Sequence, residues 1–314
     1  MNFLYNYNTW GSVIKYINPN TLDNYTFSYE SDDFYKDGRL KKTDDGYYIG
    51  PNGWYDPSIL KEDRVTYRFN NLFFRSNHFK KLNNKNINIL YSGCSWTYGT
   101  GMHEELTWTN ILSKNIQDIN PDKQVESFNV ALPGASIFLS IKNIMAFIRN
   151  YGTPEYIFIN MPPIARDMRY DKKNNWFYSV VMGNGYFEGK YPDIYIDYIK
   201  QHNHEDSILK AVEQIKMLED YCNASNIKLV WTYWHSSDKK VYDDIEFNNI
   251  FYPDLSFKQY LLKQEKNREY YPNNENKLLW ELAQDGHHPG SCWNIHCAKE
   301  FLNELVRKKY EQIQ

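Results

Sequence analysis

The sequence predicts an α/β fold: a three-layer sandwich whose central parallel sheet is covered by helices on both faces, with a β- and loop-rich N-terminal extension. Three observations lead there. Short apolar runs rich in β-branched and aromatic residues recur at 87–91, 125–130, 156–159 and 227–233, and each reads as a buried strand. Segments with apolar residues at helical spacing lie between them, and strand–helix alternation is the pattern of a parallel sheet. With 314 residues, 42% of them hydrophobic, the chain can bury a sizeable core.

Residues 1–66 carry no helix-period run but many turn signals, Asp37-Gly38, Asp45-Gly46, Asn52-Gly53 and Asp56-Pro57 among them. They predict an irregular, hairpin-containing extension packed on a main domain, 67–314. After the first core strand, Leu106, Trp108, Ile111 and Leu112 suit a helix over 104–115. Ile137, Phe138, Ile141, Ile144, Met145 and Ile148 predict a second over 135–149, ended by Gly152-Thr153-Pro154. From about 165 to 205 the pattern lapses into an aromatic insertion with a hairpin signal at Gly183-Asn184-Gly185. Following a core strand, it is expected on the active-site side of the sheet, as a substrate wall. Ile208, Leu209, Val212, Ile215 and Leu218 mark the next helix. A polar, partly helical stretch over 256–282 leads to a last helix over about 293–310, packed through Ile295, Ala298, Leu302 and Leu305.

The chemistry gathers where strands end. The first core strand stops at Ser92-Gly93-Cys94-Ser95, and ligands of α/β folds collect beyond the carboxyl ends of parallel strands. Ser95 is therefore a candidate nucleophile, although serines in such turns more often only cap a helix. Two distant segments add weight: Asn129-Val-Ala-Leu-Pro-Gly134-Ala-Ser136 after the second strand, and Asp285-Gly-His-His288-Pro289-Gly290 near the end of the chain.

Together these blocks resemble the SGNH (GDSL-type) hydrolase family, which has a flavodoxin-like α/β fold. The Gly-Asp-Ser block of the family is matched by Gly93-Cys94-Ser95, with Trp96-Thr97-Tyr98-Gly99-Thr100-Gly101 continuing it; the second-block glycine is matched by Gly134, and the Asp-x-x-His block by Asp285 and His288. Upstream, Asn70-Asn71-Leu72-Phe73-Phe74-Arg75 looks like the family's Asn-x-x-Gly-Phe-Arg lead-in. The resemblance covers roughly 67–310, and its strength lies in the order and spacing of the blocks. Two departures stand out. Cys94 replaces the usual aspartate. The third block, normally Gly-x-Asn-Asp, is replaced by Asn160-Met161-Pro162-Pro163, with Asn160 out of the family's register.

The resemblance implies a serine esterase. Ser95 attacks an acyl carbonyl, His288 serves as base and then acid, and Asp285 orients the imidazole. The oxyanion hole comprises the Ser95 and Gly134 N–H groups, with Asn160 as a side-chain donor. Trp96, Arg166 and His235 are candidate substrate-binding residues. Two of these have a plainer alternative: Arg166, like Arg169, as an ordinary ion-pair partner, and His235 as a surface histidine. His287 competes with His288 as base, and the Asp-x-x-His spacing favours His288. Cys94 is a rival nucleophile supported by adjacency alone; a small residue filling the turn is the simpler reading. Asp285, His287, His288, Cys292, His296 and Cys297 are metal-type residues without a CxxC or HExxH arrangement, so neither metal nor cofactor is expected.

A formal net charge of −3 and the absence of a basic patch argue against nucleic acid or an anionic membrane as partner. The N-terminus lacks the basic and apolar regions of a signal peptide, and no run approaches the roughly 20 apolar residues of a membrane span. Unpatterned Cys94, Cys222, Cys292 and Cys297 fit reduced thiols in a cytosol-like compartment, and with no signal peptide the expectation is a cytoplasmic or virion-associated protein. The 17% aromatic content reflects compositional drift or rings that stack on sugars. The expected partner is a small acylated or glycan substrate, and the expected reaction is removal of a small acyl group, such as acetyl, from a carbohydrate. The alternatives are an acyltransferase using the same serine and a non-catalytic glycan-binding or virion-type structural protein that keeps the fold.

Overall fold

Among the described residues of the first part of the chain, the strands are short. The structure, a computed structural model, describes residues 4–7, 13–17, 41–51, 65–72, 74–171, 176–181, 204–235, 238–251, 283 and 288–311. β1 (Leu4–Tyr7) and β2 (Val13–Ile17) pair antiparallel. β3 (Lys41–Lys42), β4 (Tyr48–Pro51) and β5 (Thr66–Phe69) form a three-stranded antiparallel sheet. The expected Asp45-Gly46 turn joins β3 to β4, with Gly46 at φ +83°. This sheet is fastened to the main domain through Arg68, whose guanidinium lies 4.4 Å over the Tyr47 ring and donates to the Glu104 carboxylate at 2.9 and 3.3 Å.

The parallel core begins with β6 (Ile87–Gly93), in which every residue is buried. Then follow α1 (Ser95–Tyr98), a 3-10 turn at Glu104–Leu106, α2 (Trp108–Asp118) and β7 (Val125–Asn129). The single helix expected over 104–115 is split because Thr107 is extended, with ψ 144°, and its hydroxyl donates to the Glu104 carbonyl at 2.7 Å. Next come α3 (Ile137–Tyr151), β8 (Tyr156–Met161), β9 (Arg166–Asp171) and β10 (Trp176–Val181). The chain continues through α4 (His204–Ala224), β11 (Lys228–Tyr233), α5 (Lys239–Asp243) and α6 (Ser291–Glu311).

β6, β7, β8 and β11 form one fully parallel sheet in the order β11-β8-β6-β7. Counted along the chain this is 2-1-3-4, the flavodoxin-like order. Its switch point lies between the first and third core strands, β6 and β8. Helices α2 and α6 pack together on one face, α3 and α4 on the other, so the three-layer sandwich is as expected. Alternation along the strands decides which side chains meet which layer. Tyr91 and Phe158 face the first pair, against Trp108 and Phe301. Ser92 and Trp231 face the second, where the Ser92 hydroxyl donates to the Ser140 carbonyl and the Trp231 indole to Glu219.

β9 and β10 pair antiparallel, and β2 pairs with β10, giving a four-stranded sheet β1-β2-β10-β9. The extension and the insertion thus share one sheet, whose β1 and β9 lie against α3. The hairpin turn expected at Gly183-Asn184-Gly185 and the stretch 256–282 lie outside the described residues. Among those described, no helix is long and apolar enough to cross a membrane.

Candidate active site

The turn after β6 is set by one glycine. Gly93 has φ +144°, and a Cβ there would stand 2.4 Å from Thr97 Oγ1 and 2.6 Å from the Asn160 carbonyl oxygen, so only glycine lets the two strand ends approach this closely. Cys94 is extended and buried, and Ser95 opens α1. The Cys94 carbonyl accepts from Thr97 and Tyr98, and the Ser95 carbonyl from Gly99 and Thr100 at 3.0 and 3.1 Å. The Ser95 N–H and hydroxyl make no hydrogen bond among the described residues. An open first-turn N–H is the donor an oxyanion requires. Ser95 is 8% exposed.

Asn129 ties the second block to this turn. Its Nδ2 donates to the Thr97 carbonyl at 3.0 Å and its Oδ1 accepts from Ala131 at 2.9 Å. Leu132 N–H reaches the Gly93 carbonyl at 3.3 Å. Gly134 follows in the left-handed region, φ +75°, and Ser136 caps α3 by accepting from Leu139. Arg166 leans onto this loop, donating to the Ala135 carbonyl at 3.3 Å. The structure therefore brings Ser95, the Gly134 loop and Arg166 to one end of the sheet.

Asn160 lies across from Gly93 in the β6–β8 register and beside Thr232 in the β8–β11 register. It is 0% exposed, and its Oδ1 and Nδ2, like the Thr97 and Thr232 hydroxyls, are enclosed without a hydrogen-bond partner among the described residues. The chain then runs through buried Met161-Pro162-Pro163 to Ile164, whose N–H donates to Asp238 Oδ2 at 3.0 Å.

His288 is half-buried just ahead of α6. Its carbonyl accepts from Ala283 N–H at 2.8 Å; Asp285 and His287 lie outside the described residues. Asn294 anchors the start of α6: its Nδ2 donates to the Gly290 and Pro289 carbonyls, while its Oδ1 accepts from Trp108 N–H at 2.9 Å. Trp293, on the first turn of α6, meets Trp96 edge-on at 4.8 Å, and Trp96 stacks on Trp234 at 4.1 Å. Trp96 follows Ser95 and Trp234 precedes His235, so this trio joins the segments after β6 and β11 to the start of α6. At 7% exposure Trp96 is a core ring. The His235 ring is 42% exposed, with Nδ1 3.9 Å from Asp238 Oδ1.

Asp238, Trp234, Trp293 and the role of Arg75 were not legible in the sequence. Only Arg75 carried a signal, as the end of the lead-in motif. Cys297 is buried, and burial pushes its thiol well above the usual range. Among the described residues no three of His, Cys, Asp and Glu converge as a metal site requires.

No protein-family model matches the chain, and no curated sequence matches it. Solved structures of similar shape include the psychrotrophic esterase EstA from Pseudoalteromonas sp. (11% identity, TM-score 0.37, covering 72% of this chain and 100% of that one). They also include a lipolytic G-D-S-L family protein from Veillonella parvula (13%, 0.38, 70% and 98%) and the acetyl xylan esterase AlAXEase (13%, 0.41, 69% and 98%). At these identities and TM-scores the likeness assigns no residue and no activity to this chain.

Proposed function

We propose that this protein is a serine ester hydrolase of the SGNH type. The observation that carries the reading is the Ser95 turn: a serine with an open N–H, opening a helix at the carboxyl end of β6, beside the sheet's switch point. The Ser95 hydroxyl adds to an ester carbonyl while His288 takes its proton. The oxyanion is received by the Ser95 N–H and the Gly134 loop. The tetrahedral intermediate expels the alcohol, which takes the proton from His288, and leaves an acyl-enzyme. Water, deprotonated by His288, then adds to the acyl carbonyl; the Ser95–acyl bond breaks, Ser95 Oγ takes the proton back from His288, and the acid leaves. Asp285 orients the imidazole throughout. The low exposure of Ser95 suits a small acyl group such as acetyl, and the β9–β10 pair, leaving the same end of the sheet, suits a bulky glycan alcohol.

The test is p-nitrophenyl acetate hydrolysis by the parent, Ser95→Ala and His288→Ala. Turnover by the parent with both variants at background supports the reading; activity surviving both substitutions refutes the site. An added sugar acceptor that captures the acyl group in competition with water would make the protein an acyltransferase. One observation favours a second reading: the enclosed Asn160 amide fits a glycan-binding protein whose third block has lost its catalytic donor. Tight glycan binding by Ser95→Ala, with no turnover by the parent, would establish it.

A further inference from the structure

Arg75 is 4% exposed, and among the described residues no carboxylate pairs with it. Its Nη1 donates to the Gly99 and Tyr98 carbonyls at 2.5 and 3.3 Å, and its Nη2 to the Met102 carbonyl at 2.6 Å. The guanidinium lies 4.3 Å over the Tyr67 ring and 5.8 Å from that of Tyr98. A buried charge is costly unless its donors find acceptors. Here the acceptors of Nη1 and Nη2 all belong to one stretch of backbone, the stretch that opens with Ser95, while Nε finds none among the described residues.

The remaining bonds of that stretch lead back to the serine. Gly99 and Thr100 N–H donate to the Ser95 carbonyl at 3.0 and 3.1 Å, and Met102 N–H to the Gly99 carbonyl at 3.1 Å. Gly101 N–H donates to the Tyr67 hydroxyl at 2.7 Å. Gly99 has φ +78°, and a Cβ there would meet Thr107 Cγ2 at 2.3 Å and Arg75 Nη1 at 3.2 Å, so the guanidinium and the loop interlock. A helix of one turn does not hold its own shape in water. What holds α1 is its surroundings, and at its C-terminal end those include Arg75 and Tyr67, beside the Asn129 amide on the Thr97 carbonyl.

We propose that Arg75 is a positioning residue for Ser95. Its guanidinium sets the path of residues 98–102 and, through the bonds to the Ser95 carbonyl, fixes where the hydroxyl stands. The kinetic consequence rests on Ser95 being the nucleophile; the structural one does not. Lysine is no substitute, because a single ammonium neither spans three carbonyls nor lies flat on a ring.

The experiment compares the parent with Arg75→Ala, Arg75→Lys and Tyr67→Phe, with and without millimolar guanidinium ion. It reads hydrogen–deuterium exchange of segment 95–102 and kcat and KM on p-nitrophenyl acetate. In Arg75→Ala, exchange in 95–102 rises about tenfold or more while β6 and β8 stay protected, and added guanidinium restores it. In Arg75→Lys, exchange rises and guanidinium has no effect. Misplacement of the serine lowers kcat by about 10²-fold, with KM little changed. Tyr67→Phe, which keeps the ring and loses one anchor, shows a smaller rise; with Arg75→Lys it decides the matter should Arg75→Ala not fold. Unchanged exchange in 95–102, or a rise shared equally by β6 and β8, overturns the proposal. A parent without activity would sink the esterase reading, and the exchange result would still decide the role of Arg75.

Discussion

Gly93 has a backbone that favours glycine and no room for a methyl group against Thr97 and Asn160. Gly93→Ala is expected to lower stability by about 2–4 kcal/mol, from strain plus overpacking. The urea midpoint measures it; a midpoint equal to the parent's would mean that the strand ends can separate. The glycine and the serine were readable in the sequence because a small residue ending an apolar run is a local signal. The surroundings of Asn160 were not. Its side chain is enclosed because the β8 register sets it opposite Gly93 and beside Thr232, and register is a property of three strands together.

Helix α3 shows how an element hands its position to the site. Six of its apolar residues recur at helical spacing, and Ser136, its N-cap, stands two residues beyond Gly134. Ser136→Ala removes the acceptor for Leu139 N–H and is expected to cost about 1 kcal/mol. In a chain of this size that is roughly 2 °C in Tm, readable by thermal unfolding. An unchanged Tm would show that Leu139 N–H finds another acceptor. The same periodicity argument ran the preceding helix through Thr107, whose extended backbone divides it. Apolar spacing reports which face is buried; it is blind to a single residue whose hydroxyl bonds the backbone behind it. Trp96 makes a related point. Next to a candidate nucleophile it looks like a substrate-binding ring, and its contacts with Trp234 and Trp293 make it a clasp between the segments.

The molecule as a whole carries acidic groups that burial holds protonated. Burial pushes the Cys222 thiol up to about 12, with Glu219 adding to the effect, and burial pushes Tyr151 up to about 12. In the unfolded chain these groups ionise near their ordinary values of 9.0 and 10.0. The folded state therefore holds more protons between those values and about 12, so stability is fully present below pH 9 and falls as pH rises through this window. Tm measured from pH 8 to pH 11 should decline progressively above about pH 9; a flat profile would mean that these groups ionise alike in both states. Cys222 and Cys297 should likewise resist thiol reagents at pH 8 until the protein unfolds.

What could be read from the chain alone is what short stretches encode. Apolar β-branched runs made strands β6, β7, β8 and β11, helical spacing made α3, α4 and α6, and their alternation made the sheet parallel. Serine and glycine ending the first run, with an Asp-x-x-His spacing far downstream, marked the candidate chemistry. Tertiary structure alone decided that the sheet runs β11-β8-β6-β7, that β2 from the extension pairs with β10 from the insertion, and that Asn160 is enclosed. It also seated Arg75 beneath the loop that follows Ser95. These outcomes depend on pairings between segments distant in sequence, where the free energy lies in the contact between two surfaces and neither surface carries the pattern of the other.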